Sequence, residues 1–284
     1  MKKVKVQDAI GMTLCHDITA MVDGFKGAAF KRGHVITQED IPKLLNIGKQ
    51  HVFIWEENAG EIHEEDAARR LSQMTTVNGA HYGSISEGKV QLFADQDGMF
   101  RVDKALLAAV NRISDITITT LPDHYPVKAG DRLASMRIVP LVTEERQIAE
   151  AEALCAGKQL YDLRPFMPLK VVIIITGSEI YHGRIKDKFE RVARAKLAHY
   201  PAEILGVHVC DDELDMIVGA GRALLAEGAE LLIFSGGMSV DPDDLTPSAI
   251  REMGAEIVSY GVPSQPGNMT LVAYLDQAAL LGVP

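Results

Sequence analysis

In the carboxyl-terminal half of the chain, apolar residues come in short unbroken runs separated by stripes of helical period. Val171 to Ile175 and Leu231 to Phe234 are uninterrupted and too short for helices, which predicts strands buried on both faces. Glu203 to Val209 reads as another strand between them. From Asp187 to Tyr200 the residues Phe189, Val192, Ala193 and Leu197 share one helical face. Behind Asp211, placed to cap it, Leu214, Ile217, Val218, Leu224 and Leu225 form a second inward stripe. Thr246-Pro247 predicts a further helix, with Thr246 as N-cap, that ends near Gly254. Ala278 to Pro284 reads as a last strand. Consecutive βαβ units of this length need parallel strands and right-handed crossovers. The expected fold class over 167–284 is therefore α/β: a wound, mostly parallel sheet with helices on both faces.

Residues 1–166 are patterned as a smaller α+β region. Thr37 is placed to cap a helix from Gln38 to Ile47, Gly48 to stop it, and His51 to Trp55 returns as a strand. Lys31, Arg32 and His34 read as a solvated turn. The acidic stretch Glu56 to Asp66 leads into a helix at 64–74. His63 lacks the His-Glu-x-x-His spacing of a metal site, and a charged helix start accounts for it. Val90 to Phe93, Ile116 to Thr120 and Leu133 to Val139 read as strands, and Asp103 to Ile113 as a helix. Thr143 to Ala156 is an acidic, alanine-rich helix, and Gly157 to Pro168, with two prolines, reads as the connector to the second domain.

Composition narrows the partners. A chain of 284 residues with 47% hydrophobic content supplies cores for two domains. A net charge of −10 argues against nucleic-acid and anionic membrane surfaces, both of which reward clustered Lys and Arg. Cys15, Cys155 and Cys210 are distant and in no metal-like spacing, so they read as reduced thiols of a cytoplasmic protein. Neither an export signal nor an apolar run long enough to span a bilayer is present.

The candidate chemistry lies where the apolar runs end. Leu231 to Phe234 runs into Ser235-Gly236-Gly237-Met238-Ser239 and then into Asp241, Asp243 and Asp244. Glycines let main-chain amides approach an anion, and the acids then require a cation between them and it, which points to a phosphate with magnesium. Val171 to Ile175 ends likewise in Thr176-Gly177-Ser178-Glu179. If these two strands are neighbours, as in the flavodoxin-like order, both turns meet at the switch point where open α/β sheets bind ligands.

These residues also carry a resemblance. Thr-Gly-Ser-Glu after the first run, Ser-Gly-Gly-Met-Ser and Asp-Pro-Asp-Asp-Leu-Thr-Pro after the other, and Gln-Pro-Gly-Asn-Met at 265–269 resemble the molybdopterin-binding domain of the molybdopterin molybdotransferase and adenylyltransferase families. The likeness spans roughly 168–284, and a looser one to the start of the molybdotransferases covers about the first 55 residues. It implies that Thr176, Gly177, Ser178, Glu179, Ser235, Gly236, Gly237, Met238, Ser239, Pro266 and Gly267 line the ligand site. Asp241, Asp243 and Asp244 would then hold Mg2+, with Asp241 and Asp244 catalytic. The chain departs from the family at Ser178, where an Asp is usual, at Lys186-Asp187-Lys188, at Val240 to Asp243, and at 266–269, where a lysine is missing. The family normally continues past the position of Pro284 into a helix, so the natural chain is expected to run on.

The resemblance implies a cytoplasmic protein of molybdenum cofactor biosynthesis that binds molybdopterin or its adenylylated form. Magnesium with ATP, AMP or molybdate is the implied company, transfer of an adenylyl group or molybdate the implied chemistry, and a homo-oligomer (dimer or trimer) the implied assembly. Two alternatives stay open: a non-catalytic pterin carrier or regulator, and a nucleotide hydrolase like the competence-damage proteins.

Overall fold

The structure, a computed structural model, describes residues 2–22, 25–54, 56, 58–239 and 244–284. The chain forms two compact units, Met1–Pro165 and Phe166–Pro284.

The first unit has two hydrophobic cores. Near the amino terminus, strand Lys2–Lys5 pairs antiparallel with His51–Ile54, and helix Asp40–Asn46 closes a core of Val6, Leu14, Ile18, Phe30, Ile36, Leu44 and Val52. Thr37 does not cap that helix. Its amide and hydroxyl both donate to Asp40 Oδ2, at 3.0 and 2.8 Å, so the buried carboxylate organises the turn in place of the threonine. The second core lies among helices Glu64–Gln73, Lys104–Val110 and Glu145–Cys155 and antiparallel strands that include Lys89–Ala94, Ile116–Thr120 and Arg132–Ile138. The expected connector is not all linker, because Tyr161–Pro165 pairs with strand Gly98–Val102. Its alternation, Tyr161 and Leu163 buried and Asp162 half-exposed, is the signature of a strand with one covered face.

His63 sits at the start of helix Glu64–Gln73, 1% exposed. Its Nδ1 accepts from the Glu65 amide, so Nε2 carries the proton and donates to the Cys15 carbonyl. Burial, helped by the charge of Arg32, pushes its pKa below the ordinary histidine value. The folded state thus binds fewer protons than the unfolded chain, and stability present above about pH 6.5 is lost as the pH falls through that value toward the lower folded pKa. Fluorescence of Trp55, the chain's single tryptophan, reads this out. The urea midpoint of the first unit is expected to be lower at about pH 6.0 than at about pH 7.5, with a smaller difference in His63→Gln.

The second unit is a six-stranded sheet in the order 202–210, 169–176, 231–235, 278–283, 271–275, 256–260. The first four of these strands are parallel and the last two antiparallel to their neighbours. Strand Leu169–Thr176 lies between its two successors, which meets the condition set in the sequence for the two turns to share a switch point. Alternate residues feed two cores. Val172, Ile174, Leu232 and Phe234 pack with helices Leu214–Ala226 and Thr246–Glu252, whereas Ile173 and Ile175 pack against helix Phe189–Leu197 through Phe189, Ala193 and Leu197.

Three expectations are corrected here. Val192 is 45% exposed, because the sheet-facing stripe runs along 189, 193 and 197 and leaves it on the outer side. Asp211 does not cap its helix, which begins at Leu214 behind Glu213 with no side-chain cap. Thr246 is the first helical residue, not the N-cap, and its hydroxyl is used elsewhere.

Candidate functional site

The paired register fixes which loops share an edge. Ile175, Ser235 and Val283 lie in one row across the parallel strands, Gly282 faces Leu271, and Leu271 faces Tyr260. The turn after Thr176, the loop after Ser235, Pro284 and the loop 261–270 therefore all leave the sheet at its carboxyl rim, where wound sheets take ligands.

At that rim the two glycine corners touch. A Cβ on Gly236 would lie on top of the Thr176 carbonyl oxygen, 3.1 Å from its carbon and 2.9 Å from the Thr176 hydroxyl. Gly236 also has φ +95° and Gly237 φ +55°, a region that side chains disfavour. Gly236 is thus required for the approach of one strand end to another, where the sequence suggested that it clears space for a ligand.

Thr176 is 2% exposed and Thr246 fully buried. The Thr246 hydroxyl donates to the Gly236 carbonyl at 2.8 Å, which leaves Thr176 Oγ1 to donate to Thr246 Oγ1 at 3.1 Å. The Thr246 amide donates to the Gly237 carbonyl. Thr176 therefore straps the loop and does not point outward. Beyond it, Met238 is buried against Gly282, and the Tyr260 hydroxyl lies 3.1 and 3.2 Å from the Met238 and Ser239 carbonyls that accept from it. These contacts tie down the main chain from Gly236 to Ser239; Ser239 is exposed, Gly237 half-exposed, and the amides of Gly237 and Met238 have no acceptor among the described residues. Such a pair of unpaired amides suits an anion.

The other expected residues divide. Gly177 and Ser178 are at the same rim, but their amides are engaged by the Cys210 carbonyl at 3.2 Å and by Asp212 Oδ2 at 2.8 Å. Glu179 is exposed on helix Ser178–Tyr181. Pro266 and Gly267 are exposed in the 261–270 loop, with Gly267 near the Pro284 ring. Asp244 is half-buried, directly before the helix that carries Thr246. Asp241 and Asp243 lie outside the described residues. Among the described residues no group of three or more His, Cys, Asp or Glu stands close enough to hold a metal ion.

Two acids at this rim escaped the sequence reading. Asp211 and Asp212 follow strand Ala202–Cys210, which borders the first strand, so they sit beside Ser178. Asp211 also meets His182 at 3.2 Å. Burial pushes the Asp211 carboxyl up, but the Asp212 amide, Ser178 and His182 outweigh it and hold the group below its ordinary value. The signal was present in Cys-Asp-Asp-Glu at the end of a predicted strand, read there only as a helix cap.

Comparison with known proteins bears on the carboxyl-terminal unit and on the amino-terminal segment separately. A family described as "Probable molybdopterin binding domain" matches residues 172–284, and one described as "Domain of unknown function (DUF8806)" matches residues 3–56. A CinA-like protein of Mycobacterium sp. (strain JLS) is 32% identical over 93 residues, 32% of this chain and 22% of that protein. The molybdopterin molybdenumtransferase of Bacillus subtilis (strain 168) is 28% identical over 120 residues, 40% of this chain and 28% of that protein. The chain thus spans under a third of the length of these curated relatives. Among solved structures, the molybdopterin biosynthesis enzyme MoaB from Thermus thermophilus aligns over 41% of this chain and 80% of its own, with a TM-score of 0.38 and 24% identity.

Proposed function

We propose, on the premise that residues 172–284 are a domain of the molybdopterin-binding family, that its carboxyl rim takes the phosphate-bearing end of molybdopterin or adenylyl-molybdopterin in molybdenum cofactor biosynthesis. The observation that carries the reading is the contact between the corners at Thr176 and Gly236, which leaves the Gly237 and Met238 amides presented at the switch point. These amides would donate to the phosphate oxygens, and Ser239 extends the donor set. Asp244, with Asp241 and Asp243, would hold magnesium, which when bound neutralises phosphate charge. Chemistry of this kind needs position and charge compensation, with no nucleophilic side chain.

The family carboxylate missing at Ser178 bears on whether the domain transfers a group or only carries the pterin. Asp212 is hydrogen-bonded to the Ser178 amide and Asp211 adjoins it, so carboxylates stand at that corner even without an Asp at 178. This favours transfer. The test is adenylyl transfer from ATP to molybdopterin together with pterin binding, in the natural chain and in Asp244→Ala. Turnover in the natural chain that falls on the order of a hundredfold in the variant, with pterin still bound, supports transfer. Tight binding with no turnover in either supports the carrier. Release of product from ADP-ribose without pterin supports the hydrolase suggested by the competence-damage resemblance.

A further inference from the structure

The segment 3–56, which matches the family described as a domain of unknown function, has a groove of its own. About 640 Å³ in volume, it runs between the loop after strand Phe25–Phe30 and helix Asp40–Asn46, and its polar lining includes Lys31, His34, Asp40 and Lys43. Asp40 is 5% exposed, and its contacts lead to the groove: Oδ2 meets His34 Nε2 at 2.7 Å and Oδ1 meets Lys43 Nζ at 3.4 Å. Burial pushes the Asp40 carboxyl up, but His34, Thr37 and Lys43 outweigh it and hold it well below the usual carboxylate range. A carboxylate facing Nε2 keeps the imidazole proton there. The other nitrogen, Nδ1, has no partner among the described residues and belongs to a ring that is 36% exposed and rests on Phe30. Lys31 is exposed with no carboxylate partner among the described residues, and Lys43 is 64% exposed. Arg32, by contrast, is committed to Glu65 and Asp66.

The local charge runs against that of the protein. Residues 25–49 hold five Lys and Arg against two acids, in a chain of net charge −10. One of those acids, Asp40, is buried under the groups it orients.

We propose that this groove is a second ligand site, which takes the phosphate of a small phosphomonoester between Lys31 and Lys43, next to the His34 ring, with Ile47 beside the organic body of the ligand. Phosphate suits it better than carboxylate. The ammonium groups come from a loop and a helix on opposite walls and are point charges on flexible stems, which suits a tetrahedral dianion and lacks the planar fork that recognises a carboxylate. The proposal is independent of the pterin reading, because every residue in it lies within 29–47.

The experiment is titration of the full chain with phenyl phosphate, inorganic phosphate and benzoate, followed by the His34 imidazole resonances. A saturable shift with both phosphates and none with benzoate is expected. In Lys31→Met/Lys43→Met, binding read at His34 weakens about tenfold or more with the far-ultraviolet circular dichroism of the natural chain retained, and Lys31→Met alone, at an exposed residue with no carboxylate partner among the described residues, weakens it in the same direction with the melting temperature unchanged. The site is overturned if His34 does not shift, if the double variant binds as the natural chain does, or if benzoate binds as well as phenyl phosphate. A response confined to the 176–239 rim also overturns it.

Discussion

Gly236→Ala lowers the stability of the second unit by about 3 kcal/mol, among the larger effects a single methyl group can have. Two penalties coincide at this residue. The added carbon meets the Thr176 main chain, which cannot swing aside as a side chain would, and the backbone stands at φ +95°. Relief requires the 231–235 and 169–176 strand ends to part, so the damage falls on the rim that presents the Gly237 and Met238 amides. Urea unfolding followed by far-ultraviolet circular dichroism measures the loss. Fluorescence of Trp55, the only tryptophan and in the first unit, should show an unshifted transition. Gly219→Ala is the control. Gly219 is exposed within helix Leu214–Ala226, has nothing within 4 Å of the added atom, and should gain about 0.5 kcal/mol. Equal stabilities of Gly236→Ala and the natural chain would mean that the corners do not touch.

Thr246→Val has the second largest expected effect, a loss of about 2 kcal/mol. Valine keeps the shape and removes a buried hydroxyl that donates to the Gly236 carbonyl and accepts from the buried Thr176 hydroxyl. Thr176 is then left with only the Ser235 carbonyl at 3.4 Å and the half-buried Gly236 carbonyl loses its donor, and leaving such groups short of a partner is costlier than the bond itself was worth. Thr176→Val alone should cost less, because the Gly236 carbonyl keeps its donor. A cycle of the two single variants and the double one measures the coupling, expected at about 1 kcal/mol. Strict additivity would place the hydroxyls out of contact. On the proposed function, ligand binding at the rim weakens with Thr246→Val, since this side chain and its amide hydrogen-bond helix Thr246–Glu252 to the glycine loop.

Much of the second unit was legible beforehand for a simple reason. Strands buried on both faces must be apolar throughout, and Val171 to Ile175 and Leu231 to Phe234 are; helices covered on one face must show stripes, and 214–226 does. The first unit was harder. Its strands are short and covered on one side, so Tyr161–Pro165 offered only a weak alternation running into prolines and passed for a linker. Polar side chains were the least predictable. Thr37, Asp211 and Thr246 were each assigned a cap because small polar residues before an apolar stripe usually are caps. Each hydroxyl or carboxylate instead found a stronger local partner: Asp40, the Asp212 amide, and the Gly236 carbonyl.

The amino-acid order alone determined the wound α/β class of 167–284 and the small-residue corners at the ends of its apolar runs, because period and composition are local properties that survive without knowledge of distant contacts. The tertiary structure decided what those corners are for. That Gly236 serves a strand contact, that Thr176 faces inward to Thr246 and that Asp211 and Asp212 join the rim all depend on atoms far apart in the chain coming within hydrogen-bonding or van der Waals reach. Those interactions fall off over a few ångströms, a scale on which spacing along the sequence carries almost no information.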